Sequence, residues 1–501
     1  MHGRQKLIRA IKAILLGTLC VALYILVSQN TDIIGSDTAA RILNGKLLFQ
    51  TLNITLANTF SYTQQYVNYI DTNAFSDMSF YILHKFFGTS AVYVFYAQLK
   101  IVSLLVFFLI AQRYGNFLSA LLAATIALPL ITFKTSPCPD AFAAIFAGIF
   151  LFTLGAKLKK PKTLYLLAII QLCWSFTDGS YFIGPVIYGL FILKTVLTKK
   201  PALPLCNAPT NNEESLPGKT VLYSGILVFM AALINPATYN LFAKVTNAIA
   251  IAPTVDNLSV FSLAYIATDI SALSFFNVSS ILLLAACIVA LIFWRKKTPF
   301  EILTPAFIAL ILVLFKVKYF ALFGFLFIPA GTWFFKIIWQ KIESINPKTN
   351  KAIISFLFAL LILLPGAKET AQSVIQNINT KKTQNQQDVI IFLKQTEIKS
   401  PVFNNFDSGG FLALTLPRNE KVYIDAREGA YTKEFIDRYI NVLQNDENWN
   451  EEKDKYNFRT IFFSNLTLTT TAMSFLERRV KDGNWKVVFS NDYAAILEKI
   501  E

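Results

Sequence analysis

Asp37–Thr63 reads DTAARILNGKLLFQTLNITLANTFSYT, and the rest of the chain is arranged around it. Its first half sets Ala39, Ile42, Leu43 and Leu47 on one side and Arg41, Asn44 and Lys46 on the other, the spacing of a helix lying in a membrane interface. Asp37 is the only carboxylate in the stretch. At a helix start its oxygens can accept free backbone N–H groups as an N-cap. Arg41, four residues on, shares its helical face and can either pair with it or bind an anion.

Composition sets the class. The 501 residues are 54% hydrophobic and 14% aromatic, with mean hydropathy +0.48, which describes a polytopic membrane protein. The formal charge of +15 is spread as short Lys/Arg clusters beside apolar runs, which fits orientation in a membrane and argues against a nucleic-acid partner. The five cysteines form no CxxC pair, and the two histidines, His2 and His84, cannot build a His-ligated metal centre by themselves.

MHGRQKLIRAIK precedes the first apolar run and predicts an uncleaved signal-anchor with its N-terminus in the cytoplasm. Further runs begin near Ala91, Phe117, Asp140, Thr163, Tyr181, Val221, Val278, Phe300, Tyr319 and Ala352. This predicts about eleven transmembrane helices, with the C-terminus outside. The Thr163 run is short, and Phe300 to Phe335 is nearly continuous around Lys316 and Lys318. The outer face would then carry the first loop (28–90) with a second helix at FSDMSFYILHKFF, the turn TSPCPD, the segment WSFTDGSYFIG and a long loop after Asn235. Asp71, Asp77 and Asp178 fall on that side as further carboxylates, while Lys100 and Lys318 fall within or beside spans, where a charge must snorkel, be paired or serve a site.

After Pro365-Gly366 the composition turns polar. Residues 367–387 predict a linker helix, and 388–501 predict a small α/β domain outside the membrane, with extended PVFNNF, KVYIDAR, RTIFFS, WKVVFS and YAAILEK between helical VIIFLKQ, GGFLALTL, EFIDRYINVL and TAMSFLERRVKD. Asp425 and Arg427, at the end of KVYIDAR, fit a ligand site for a sugar or phosphate; they equally fit a turn-capping Asp with its paired Arg.

Several stretches, in order, resemble bacterial multi-spanning membrane proteins of the GT-C glycosyltransferase superfamily, which use polyprenyl-phosphate sugars. In the first loop the resemblance is carried by Asp37, Gly45 eight positions later, the aliphatic run and FSYT. Arg41 stands where relatives commonly have His, Asn58 where they have a second Asp, and Thr72-Asn73 where many have His-Glu. Trp174, Gly179 and Gly184 match a W-x-N-x-H-G segment in which Phe176 and Asp178 replace the Asn and His. Asn235-Pro236 and the segment Lys316 to Pro329 also match, with Lys318 keeping a charge; Asn404, Asn405, Gly409, Gly410, Asp425 and Arg427 match a recurring pattern of the C-terminal domain.

The resemblance implies an α-helical polytopic GT-C-like bundle over 1–366 with a C-terminal extracytoplasmic α/β domain, in the bacterial cytoplasmic membrane. It implies transfer of a sugar from a polyprenyl phosphate donor to a lipid, glycan or protein acceptor at the outer face, by an inverting mechanism. Asp37 would be the base, Asp178 a second carboxylate, and Arg41 and Lys318 the donor-phosphate ligands, with or without a divalent cation such as Mg or Mn. Because the His, Asp and His-Glu positions of relatives are substituted, a non-catalytic descendant acting in cell-envelope glycan assembly or binding is the other reading.

Overall fold

The computed structural model describes residues 2–28, 37–133, 136–155, 161–197, 218–235, 288, 299–315, 319–345, 381–396, 398–417, 420–427, 429–465 and 469–500. Among these, three helices are long and apolar enough to cross a membrane: Gln5–Ser28 within α1 (His2–Ser28), α4 (Thr89–Ala111), and Phe320–Ser344 within α11 (Phe320–Ile345). Shorter apolar helices accompany them: α5 (Phe117–Ile131), α6 (Asp140–Leu154), α7 (Leu166–Ser175), α8 (Ile183–Leu197), α9 (Gly218–Leu233) and α10 (Phe300–Phe315). This is a membrane protein.

α11 packs along α5, where Ala120, Ala123, Ala124 and Ala127 are buried and keep the two backbones close. Leu7, Ile8, Ile14 and Val21 of α1 are exposed, as suits a helix facing lipid. The Thr163 run is indeed short: a 3₁₀ turn, Pro161–Tyr165, leads into the ten residues of α7. Lys100 is fully buried and satisfied. Its Nζ donates to the Ile131 carbonyl (2.8 Å), lies 3.6 Å from Asp140 and sits over the Tyr96 ring, so a cation meets the C-terminal end of α5 and an anion the N-terminal end of α6. The expected spans near Val278 and Ala352 and the linker up to residue 380 lie outside the described residues.

Two helices and a hairpin fill the first loop. α2 (Asp37–Thr51) lies against α3 (Ala74–Phe87), the helix expected at FSDMSFYILHKFF. Between them β1 (Thr55–Ala57) and β2 (Asn68–Ile70) pair antiparallel with Leu56 opposite Tyr69.

The C-terminal region starts with α12 (Lys381–Gln395) and builds a four-stranded sheet in the order β3 (Val402–Asn404), β4 (Thr460–Ser464), β6 (Ala494–Lys499), β5 (Trp485–Ser490). β3 runs parallel to β4, and the other pairings are antiparallel. α13 (Phe406–Thr415), α14 (Lys433–Gln444), α15 (Asp446–Tyr456) and α16 (Thr470–Lys481) complete it. Phe403, Trp449, Phe458, Phe463 and Phe475 form its aromatic centre.

Some expectations need correcting. KVYIDAR is no sheet strand. Its backbone is spent elsewhere: Tyr423 N donates to Asn404 Oδ1 (2.9 Å), Asn404 Nδ2 donates to the Ile424 carbonyl (2.7 Å), and Val422 makes a lone parallel bridge to Ser61 of the first loop. α13 begins at Phe406 rather than at the glycine pair. α15 is an element that the apolar pattern does not predict, although Asn445 caps it (Glu447 N to Asn445 Oδ1, 2.8 Å) and acidic residues open it.

Candidate functional site

Gly45 is what lets the first-loop helices meet. A Cβ there would lie 2.0 Å from the Asp77 carbonyl and 2.6 Å from Tyr81 Cβ, so no other residue allows this approach of α2 to α3. The closeness brings Arg41 and Asn44, on one face of α2, onto the carboxylate of Asp77. Arg41 NH1 donates to Oδ1 at 3.2 Å, Asn44 Nδ2 to Oδ2 at 3.2 Å, and Ser76 Oγ lies 3.4 Å from Oδ1. Burial pushes the Asp77 pKa up to about 6, against the lowering pull of Arg41 and of its hydrogen bonds.

The C-terminal region closes the other side. Asp425 and Arg427 are fully buried and joined by two hydrogen bonds, Nε to Oδ1 at 2.8 Å and NH2 to Oδ2 at 2.7 Å. Asp425 also accepts the Arg427 backbone N–H (3.0 Å) and the Tyr431 hydroxyl (2.9 Å). Arg427 reaches into the first loop as well: NH2 donates to Asn58 Oδ1, and NH1 to the Tyr69 hydroxyl at 3.2 Å. Asn58 in turn donates to the Ala430 carbonyl at 2.7 Å. Behind this, Tyr62 OH donates to the Val402 carbonyl (2.8 Å), and Thr63 Oγ1 to the Tyr423 carbonyl (2.7 Å).

Glycines again permit the contact. A Cβ on Gly409 would meet the Ile424 carbonyl at 1.8 Å, and one on Gly410 would meet Ala40 N at 2.9 Å and Ala39 Cβ at 3.2 Å. α13 therefore lies with one glycine on the Ile424–Asp425 backbone and the other on α2.

Between these surfaces is a cavity of about 240 Å³. Its polar lining comes from Arg41, Asn44 and Asn73 of the first loop and from Arg427 and Tyr431 of the C-terminal region; Phe406 and Ile436 add an apolar side. Two cationic forks from residues far apart in sequence thus face one compartment. Both have carboxylate partners, Asp77 and Asp425, so the lining is polar with compensated charge.

The sequence-derived residues divide. Arg41 and Arg427 share the cavity, and Asp425 holds Arg427. Asp37 is the first residue of α2, one helical turn from Arg41; its side chain lies outside the described residues, as does Lys318. Asp178 is buried and not among the lining residues. Its Oδ1 accepts from Ser180 N (2.8 Å), folding a turn on which α3 begins: Phe75 N donates to the Phe176 carbonyl at 2.8 Å. Asn44 and Tyr69 are members of the site that no motif singles out. Asn58, which stands at the position of an acid in relatives, is the acceptor that holds Arg427.

Among the described residues no three His, Cys, Asp or Glu side chains converge as a metal site demands. The Asp77 oxygens are already taken by Arg41, Asn44 and Ser76. These residues do not fit a cation.

No family model matches the chain, and no curated protein matches it. Solved structures do. The oligosaccharyltransferase of Archaeoglobus fulgidus in complex with Zn and sulfate superposes with a TM-score of 0.56 at 12% identity, over 93% of this chain and 69% of that one. The same archaeal AglB with an inhibitory peptide and a dolichol-phosphate gives 0.53 at 12% identity, over 91% and 70%. ArnT of Cupriavidus metallidurans in the apo state gives 0.50 at 11% identity, over 97% and 98%. The chain has the GT-C fold. The likeness in fold extends along nearly the whole chain.

Proposed function

We propose that this GT-C protein is a membrane glycosyltransferase that moves a sugar from a polyprenyl phosphate donor to a hydroxyl-bearing lipid, glycan or protein acceptor. The observation that carries the reading is a cavity lined jointly by Arg41, one helical turn beyond Asp37, and by Arg427 of the C-terminal region. In the proposed reaction Asp37 takes the proton of the acceptor hydroxyl, and the oxygen attacks the anomeric carbon. The bond from that carbon to the phosphate oxygen breaks, and the polyprenyl phosphate leaves with the electron pair. The configuration inverts. Arg41, with Lys318, offsets the charge growing on the departing phosphate. Asp178 acts from behind, by holding the turn on which α3 starts. The structure of the archaeal AglB in complex with a dolichol-phosphate, and the fold it shares with this chain, support a lipid-phosphate ligand.

The same reading places 1–366 in the cytoplasmic membrane of a bacterium with the N-terminus inside. The first loop and the unit 388–501 then lie on the outer face, joined by the linker 367–387.

A second reading, a non-catalytic protein that binds envelope glycan, is favoured by one observation: both cavity cations already have protein carboxylates as partners. The test is transfer of radiolabelled sugar from a panel of polyprenyl-phosphate sugars in membranes holding wild type, Asp37→Asn and Arg41→Gln at equal protein level. The expected result is transfer by wild type and a loss of ~100-fold or more in Asp37→Asn, the size of lost general-base help. Wild type inert with every donor, or Asp37→Asn fully active, would leave the glycan-binding reading.

A further inference from the structure

The first loop and the C-terminal region are joined by a directional chain of hydrogen bonds. Arg427 NH1 donates to the Tyr69 hydroxyl (3.2 Å), that hydroxyl donates to Asn44 Oδ1 (2.8 Å), and Asn44 Nδ2 donates to Asp77 Oδ2 (3.2 Å). Asp77 Oδ1 then receives Arg41 NH1 (3.2 Å). Each link has only one sense. Guanidinium and carboxamide nitrogens cannot accept, the carboxylate cannot donate when ionised, and the Tyr69 hydroxyl, with its oxygen facing Arg427, has its proton left for Asn44. Burial raises the Tyr69 pKa and keeps that proton in place, although Arg427 pulls the other way.

Every member but Arg41 is buried, so the links run through a contact shielded from bulk solvent. The ends of the chain, Arg427 and Arg41, both face the cavity. Tyr69 is its midpoint, and the backbone holds it there: it is the central residue of β2, paired to Leu56, and Gly429 (φ +83°) passes so close that a Cβ would stand 3.3 Å from Tyr69 Cβ.

We propose that Tyr69 is a positioning residue, transmitting the placement of Arg427 in the C-terminal region to Arg41 of the first loop through Asn44 and Asp77. A ligand group on the C-terminal half of the cavity then adjusts the cation on the other half. An acceptor and a donor phosphate would sense each other without touching. The consequence for turnover rests on the transfer reading; the coupling itself does not.

The decisive measurement is a thermal-unfolding cycle on the full-length protein in lipid nanodiscs. Asp77→Asn and Arg427→Lys are made singly and together, first in wild type and then on Tyr69→Phe, which deletes only the hydroxyl. Asp77 and Arg427 share no hydrogen bond. The expected result is a double variant whose melting shift departs from additivity by roughly 2 °C or more, and additive shifts once Tyr69→Phe is present. Additivity in both backgrounds, or non-additivity that survives Tyr69→Phe, overturns the relay. If wild type transfers sugar, Tyr69→Phe is expected to lower turnover ~10-fold with the donor KM moved less than about two-fold, as for an interaction realised in the transition state. A change in donor KM with unaltered turnover would put the effect of Tyr69 in ground-state binding and overturn its role in the transition state. Should no donor be turned over, the transfer reading falls alone, and the thermal cycle still decides the relay.

Discussion

Replacing Asp425 by asparagine should be among the most damaging changes of near-constant shape available in the C-terminal region. The carboxylate receives Arg427 N and Nε on one oxygen and Arg427 NH2 and the Tyr431 hydroxyl on the other. An amide oxygen can keep the first pair. Its NH2 would then face two donors, and the guanidinium, with no exposed side-chain surface, would remain in place without a counter-charge. Breaking a buried ion pair from one side costs about 3–5 kcal/mol. At ~2–4 °C per kcal/mol for a folding unit of this size, Asp425→Asn in the full-length protein should melt roughly 6 °C or more below wild type. Tryptophan fluorescence gives a suitable readout, because Trp449 and Trp485 lie in the aromatic core of the same region. Asp454→Asn, whose side chain is 78% exposed, is the matched control and should stay within about 2 °C. If the two variants melt together, the Asp425–Arg427 pair does not anchor this part of the fold, and the cavity wall built on Arg427 loses its foundation.

Other outcomes follow from close contacts and charge. Gly409→Ala should fail to accumulate as folded protein, because its Cβ would strike the Ile424 carbonyl at 1.8 Å; Gly410→Ala, meeting α2 at 2.9 Å, should fold with a lower melting temperature and, in the transfer assay, with activity reduced more than stability. For Asp77, a folded-state pKa of about 6 lies above the ~3.9 of an unfolded aspartate, so the folded protein holds the proton more tightly. Its contribution to stability is therefore full below about pH 4 and declines as pH rises through about 6. Melting curves between those values should show that decline in wild type and lack that component in Asp77→Asn; identical pH dependence in both would refute the assignment.

The GT-C architecture is legible in the sequence because it depends on patterns that local sequence carries: apolar runs of spanning length, the Asp37–Gly45 spacing, and the change of composition after Pro365 and Gly366. Gly45 and the pair Gly409-Gly410 are visible as motifs, yet their reason, the approach of one backbone to another, exists only in three dimensions.

The site is legible only in part. Arg41 and Arg427 can be singled out as cations beside possible partners, but nothing local says that they face one compartment. Asn58 misleads because a carboxamide looks like a weakened acid until a guanidinium is found against it. KVYIDAR has the alternation of a strand, and its hydrogen bonds instead go to Asn404 and to the first loop, partners that no local pattern identifies.

The bonds that tie Thr63 to Tyr423 and Asn58 to Arg427 span 360 and 369 residues of chain. At a synthesis rate of ~5–20 residues per second, the first loop waits roughly 20–70 s for the partners that satisfy it. During that interval Asn58, Ser61 and Tyr69 lack the C-terminal groups they bond with in the finished fold, and water must stand in. A chain that stops before residue 423 therefore leaves Asn58, Ser61 and Tyr69 without the partners that satisfy them in the finished fold.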